Sequence, residues 1–179
     1  MGEEIEKEDP MTFDPKLQPY EVYPIAVRAE MDAAEIYRGL HGRVKNEALK
    51  QKLDFLAREE DRHKAILERL FRDHFPNRTL VIPAQGRRPK KAAAVDEATS
   101  VLELFKLAMT KEKEAEAYYR EAKGLAEDDH SKRVLDYLSR TERSHYYMLR
   151  SEIDLLVRFP EYYNADDAHE GQDLFHIGA

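Results

Sequence analysis

The 179-residue sequence predicts an all-α fold, a four-helix bundle made of one helical hairpin used twice, and three observations carry that expectation. Long stretches free of Gly and Pro space their apolar residues as amphipathic helices do. Charged residues make up 36% of the chain and Gly is scarce, a composition shared with helix bundles. The third is an internal repeat. Residues 26–67 moved forward by 82 fall on 108–149, and 14 of those 42 positions are identical, where chance would give about three.

Taken in order, the first helix is expected over 20–41, free of breakers after Pro24, with Ile25, Val27, Met31, Ala34, Ile36 and Leu40 as its apolar stripe. Gly42 offers a left-handed stop. A second helix runs from about 46 to 73 behind Leu49, Leu53, Leu56, Ile66, Leu67 and Leu70. Residues 74–95 hold three Pro and one Gly and read as a crossover, with a short extended piece at 80–82. The third helix starts near 96–100, where Asp96 and the pair Ser100 and Glu103 supply capping signals, and it runs to about Gly124. The fourth begins at about Asp129 and ends before Phe159 and Pro160. A flexible arm over 1–18, a bundle over 19–158 and a tail over 159–179 complete the expected organisation.

Composition excludes several functions. The chain has no Cys, so it carries no disulfide scaffold and no Cys-ligated zinc, haem or iron–sulfur group. A net charge of −7 argues against nucleic acid as a partner, and the basic run at 86–91 reads as a solvated loop. The amino terminus, MGEEIEKEDP, is acidic with no apolar run behind it, and no stretch approaches the roughly 18 apolar residues of a membrane span. The expectation is a soluble, cytoplasmic protein with no membrane partner.

The repeat keeps polar residues that a bundle core does not require. Leu53/Leu135 and Leu56/Leu138 are matches any core would retain, whereas Glu30/Glu112, Glu60/Glu142, His63/His145 and Tyr37/Tyr119 need another reason. Glu60 and His63 are three residues apart on one helix, so both project from one face, and the same holds for Glu142 and His145. Leucines flank both pairs, which places them in the buried stripe. If the first hairpin turns near residue 45, Glu30 and Glu60 both stand about 22 Å from the bend, and a turn near 127 sets Glu112 and Glu142 level in the same way. Four Glu and two His then converge on one level of the core. Four carboxylates stay ionised in a dry interior only beside cations, and two divalent ions would supply the matching charge. Oxygen and imidazole donors without thiolate suit iron or manganese and admit zinc.

One Glu from each of two helices and a Glu-x-x-His from each of the other two resemble the ligand pattern of ferritin-like carboxylate bundles. Over about residues 20–157 the chain is most similar to the rubrerythrin branch, where a ligand Glu is followed two turns later by Tyr, as in EMDAAEIY and EKEAEAYY. The resemblance implies a ferritin-like four-helix bundle in which Glu30, Glu60, His63, Glu112, Glu142 and His145 hold two iron ions. Glu60 and Glu142 would then be terminal or bridging carboxylates. It also implies an oxidoreductase reacting with hydrogen peroxide or dioxygen, and by default a homodimer. Without Cys there is no rubredoxin module, so electrons would come from a separate electron-transfer protein. At Ala115, matching Ala33, the extra Glu that rubrerythrins often carry is missing. The resulting symmetric ligand set also fits a ferroxidase or iron-storage protein. A di-metal hydroxylase and a non-catalytic helical scaffold are the remaining readings.

Other residues have ordinary uses. Tyr37 and Tyr119 are candidates to cap the site by hydrogen bonding a ligand carboxylate on a neighbouring helix, and equally are large core aromatics. Asp54 and Asp136 are candidates to orient a ligand His through its second nitrogen, against the simpler reading of polar helix residues. Glu59, opposite Thr141 in the repeat, is not expected to bind metal, while Glu35 and Glu116 are the placements for an extra ligand. His41, His74, His130, His169 and His176 lack repeat partners and read as surface or loop residues.

Overall fold

The computed structural model describes residues 17–84 and 99–159, and within them every regular element is a helix. These are α1 (Pro19–Arg43), α2 (Glu47–His74), α3 (Val101–Leu125) and α4 (Asp129–Arg158). Each begins at a polar cap. Glu21 accepts from the Gln18 backbone N–H at 2.8 Å, Asn46 Oδ1 accepts from Leu49 N at 3.0 Å, and Asp128 accepts from Ser131 N at 2.9 Å. Ser100 and Glu103 form the reciprocal capping box expected from their spacing. Residues 1–16, 85–98 and 160–179 lie outside the described residues, and with them Asp96, the basic run, almost all of the arm and tail, and much of the crossover.

One local expectation fails. Gly42 does not stop the first helix. It lies within α1, which closes instead at Val44 in an extended conformation (φ −95°, ψ 150°). Val44 is buried, so the chain leaves the helix where a β-branched apolar residue can turn into the core. The piece at 80–82 forms no strand, and Leu80 and Ile82 instead pack as irregular chain against the apolar core. With no second strand among the described residues, an extended segment has nothing to pair with.

Side-chain contacts fix the direction of the helices. The Tyr118 hydroxyl, late in α3, donates to the carbonyl of Val22, early in α1, at 2.9 Å. His74, the last residue of α2, meets the Tyr23 hydroxyl at 3.2 Å through Nδ1 and the Ser131 hydroxyl at 3.3 Å through Nε2. One end of the bundle thus collects the start of α1, the ends of α2 and α3, and the start of α4. The hairpin loops lie at opposite ends, so the crossover between α2 and α3 travels the length of the bundle. Each hairpin packs closely on itself, α1 also packs on α3, and α2 and α4 touch at only a few points.

The core is two apolar clusters rather than one. Tyr37, Leu40, Leu53, Leu56, Phe105 and Leu149 belong to the first, and Val27, Leu67, Phe71, Tyr119, Leu135 and Leu138 to the second. On every helix a polar group lies between them in sequence: Glu30 on α1, Glu60 and His63 on α2, Glu112 on α3, Glu142 and His145 on α4. No described helix is long and apolar enough to cross a membrane.

Candidate metal centre

All six polar residues singled out by the repeat come together, none more than 2% exposed. His63 Nδ1 lies 2.8 Å from Glu142 Oε1, 3.3 Å from Glu60 Oε2 and 3.7 Å from Glu30 Oε2. His145 Nδ1 lies 3.0 Å from Glu60 Oε1, 3.4 Å from Glu112 Oε2 and 3.4 Å from Glu142 Oε2. The two imidazoles stack with centroids 5.6 Å apart and planes 16° from parallel.

Two four-residue groups result, Glu30, Glu60, His63, Glu142 and Glu60, Glu112, Glu142, His145, and in each the donor atoms lie within 4.8 Å of one another. Ligands held about 2.0–2.2 Å from a shared ion stand at most about 4.4 Å apart, so each group has nearly the size of a coordination sphere. Glu60 and Glu142 belong to both groups and offer one oxygen to each. Glu30 and Glu112 belong to one group each. Glu60 and Glu142 are therefore shared between the two groups, and Glu30 and Glu112 are each private to one.

Short distances here are not hydrogen bonds. Both oxygens of Glu60 and Glu142, both ring nitrogens of His63 and His145, Glu30 Oε1 and Glu112 Oε2 are buried without a directional partner. Each such group costs about 1–3 kcal/mol when left unsatisfied, so the cluster would strongly destabilise a core that offered it nothing else. The donors face one another as ligands around ions do, and the set of carboxylates and imidazoles fits a pair of divalent metals.

Protonation follows the same layout. Burial, then the charges of Glu142 and Glu60, push the Glu30 carboxyl well up, and burial with the same two neighbours does so for Glu112. Burial also opposes ionisation of Glu60 and Glu142, but contacts from the two histidines, and from Glu30 for Glu60, outweigh it and hold both low. Burial opposes charge on His63 and His145 too, yet the surrounding carboxylates push both up.

The tyrosines diverge. Tyr37, fully buried, donates to Glu112 Oε1 across from α1 to α3, and burial followed by the Glu112 charge pushes its pKa well up, keeping the proton in place. Tyr119 is equally buried, but its hydroxyl has no partner. Asp54 and Asp136 orient neither histidine. Asp54 is exposed and lies 3.6 Å from His41, while Asp136 pairs with Lys123 at 2.6 Å and Arg140 at 2.9 Å, because both aspartates project from the outer faces of their helices. Glu35 is exposed and Glu116 is held by Arg143, so neither supplies an extra ligand. Glu59 is buried but paired with Arg62, away from the cluster.

Two features escaped the sequence reading. Glu152, 3% exposed, pairs with Lys52 across α4 and α2. Tyr137, 51% exposed, sets its ring edge-on to His63 with centroids 6.4 Å apart, a half-open aromatic against a buried candidate ligand. Its repeat counterpart is Phe55, and counting aromatic as well as identical matches would have marked the position.

Residues 21–153 match the family model described as Rubrerythrin. The chain belongs to the rubrerythrin family. Among solved structures, this rubrerythrin-family chain is similar to a hypothetical protein from Pyrococcus furiosus, with 33% identity, a TM-score of 0.71, and coverage of 80% of this chain and 92% of that one. It also shares its fold with KatB, a manganese catalase from Anabaena PCC7120, at 22% identity and a TM-score of 0.64, over 84% of this chain and 80% of that one. No curated protein sequence matches it.

Proposed function

We propose that this chain is a rubrerythrin-like di-iron oxidoreductase that reacts with hydrogen peroxide or dioxygen and draws its electrons from a separate redox protein. The observation that carries the reading is the pair of fused four-ligand groups sharing Glu60 and Glu142. Glu30 and His63 would complete one position, and Glu112 and His145 the other. Two redox metals held there would make two electrons available to an O–O bond at one place. The protein's own part is to hold the donors and to keep water out. Glu60 and Glu142, ionised, fix the spacing of the two positions; Tyr37, by its hydrogen bond, holds Glu112 in one orientation. The apolar clusters on either side exclude water and strengthen every charge interaction between them.

The test is metal content per chain, followed by anaerobic addition of peroxide or dioxygen to the Fe(II) protein. A ratio of about two with rapid turnover of peroxide supports the reading. A second reading, a ferroxidase feeding iron storage, is favoured by Ala115 standing where an additional Glu would break the symmetry of the site. It expects iron uptake well above two per chain. Manganese, the metal named for the Anabaena catalase, is tested by loading either ion in turn. A chain that binds neither sinks both readings.

A further inference from the structure

The outer face of the second hairpin differs from that of the first in charge. A groove of about 420 Å³ runs between α3 and α4, lined by Arg120, Lys123, Asp136, Ser139, Arg140 and Arg143. Arg120 and Lys123 are three residues apart on α3, and the α4 residues follow Asp136 by three, four and seven, so each set projects from one face of its helix. Lys123 meets Asp136 at 2.6 Å, Arg140 meets it at 2.9 Å, and Arg143 Nε donates to Glu116 at 2.8 Å. Arg120 is exposed and has no ion-pair partner among the described residues. Four cations thus share two carboxylates, which leaves a surplus of two positive charges on a chain whose net charge is −7. Moved back by 82, the lining positions hold Arg38, His41, Asp54, Ala57, Arg58 and Asp61. There Arg38 pairs with Asp61 and His41 lies 3.6 Å from Asp54, so, counting His as neutral, two Arg face two Asp and nothing is left over. The deciding exchange is Asp61 against Arg143, a position exposed in both hairpins, where the core makes no demand.

We infer that the groove between α3 and α4 is a binding site for a doubly charged tetrahedral oxyanion of the phosphate class. The inference does not depend on the metal centre. Guanidinium groups present their N–H donors in planar forks that match phosphate oxygens, and Lys adds a mobile point charge. The donors stand on two facing helices, Arg120 and Lys123 on one wall and Arg140 and Arg143 on the other, so they reach an anion from two sides. A tetrahedral ion has oxygens to meet both walls, whereas a planar carboxylate offers its two oxygens to one. The ion pairs already present do not lock the cations. Arg140 and Arg143 are 78% and 57% exposed at the side chain, and pairs so open to water are weak enough for an incoming anion to share or displace.

Titration of the full chain with inorganic phosphate, exchanged for chloride at constant ionic strength, tests this through the arginine Nε–H signals in NMR spectra. Saturable shifts are expected at Arg120, Arg140 and Arg143, with Arg38 and Arg58 unmoved. Arg143→Asp, which installs the first hairpin's residue, should weaken binding by about tenfold. Arg120→Glu breaks no ion pair and should act in the same direction if the first variant folds poorly. Asp61→Arg gives the first hairpin the same surplus of charge and should make Arg38 and Arg58 respond. Pyrophosphate and adenosine diphosphate separate two sources of the same chemistry, since tighter binding of the nucleotide points to an organic phosphate and equal affinity to an inorganic one. Equal responses in the two hairpins, shifts that do not saturate, an Arg143→Asp chain with wild-type affinity, or an Asp61→Arg chain whose first hairpin stays silent would overturn the site. Malonate, a dianionic dicarboxylate, binding as tightly as phosphate would overturn the phosphate class.

Discussion

The first hairpin ends its tyrosine on a carboxylate of the second, whereas the second hairpin's matching tyrosine ends buried with no hydrogen-bond partner. Tyr37 and Tyr119 are at equivalent repeat positions and equally buried, yet one hydroxyl is satisfied and the other is not. The ligand cluster itself is close to symmetric, with a histidine and a terminal Glu in each half and two carboxylates in common. A duplicated sequence can thus conserve the donor set while its surroundings give the halves different hydrogen bonds. The hairpins also start their second helices differently, α2 on the neutral amide of Asn46 and α4 on the carboxylate of Asp128.

The largest test of this comparison separates the shared residues from the private ones. Glu60→Ala or Glu142→Ala should take metal content from about two per chain to near none, whereas Glu30→Ala or Glu112→Ala should leave about one. Metal analysis on folded protein decides it, and equal losses in all four variants would remove the distinction between shared and private carboxylates. Next comes the part of the repeat that should be symmetric. Leu56→Ala and Leu138→Ala, one in each apolar cluster and both fully buried, should each destabilise by about 2–5 kcal/mol in urea unfolding. A large effect in one and none in the other would mean that only one cluster is packed as described.

The tyrosines should differ by less, and in one direction. Tyr37→Phe strands Glu112 Oε1 and should cost about 1–3 kcal/mol in the metal-free protein, while Tyr119→Phe removes a hydroxyl that has no partner and should cost nothing or stabilise. Equal losses on denaturant titration would break the asymmetry. The smallest effects are at the caps. Asn46→Ala should cost about 1 kcal/mol at any pH where the fold persists. Asp128 is held down at about 2, first by the Ser131 backbone N–H, against 3.8 for the free group. A depressed carboxyl contributes stability above its unfolded pKa and loses it as pH falls through the folded one, so the Asp128 contribution should fade between about pH 4 and 2. Asp128→Asn should flatten that part of the pH–stability curve; an unchanged curve would assign the acid sensitivity elsewhere.

The four helices and the candidate ligand set were legible because both leave a periodic trace. Spacing of three places Glu60 beside His63, and an offset of 82 pairs each with its counterpart, so arithmetic alone brings six residues to one height. What was not legible depends on where a side chain turns. Asp54 and Asp136 match perfectly in the repeat but face outward, and identity of residue says nothing about direction. Gly42 matches Gly124, yet each lies inside its helix, and the burial of Val44 ends α1. The difference between Tyr37 and Tyr119 likewise lies in side-chain placement, since one hydroxyl meets a carboxylate and the other does not.

The placement of the polar belt between two apolar clusters has an electrical consequence. Each cluster acts as an insulating jacket, and a net charge left between them would be stabilised by neither water nor counter-ions. If the proposed di-metal centre changes its oxidation level, moving a proton with each electron would keep the charge between the jackets constant. A midpoint potential that did not shift with pH would show that the jackets leak.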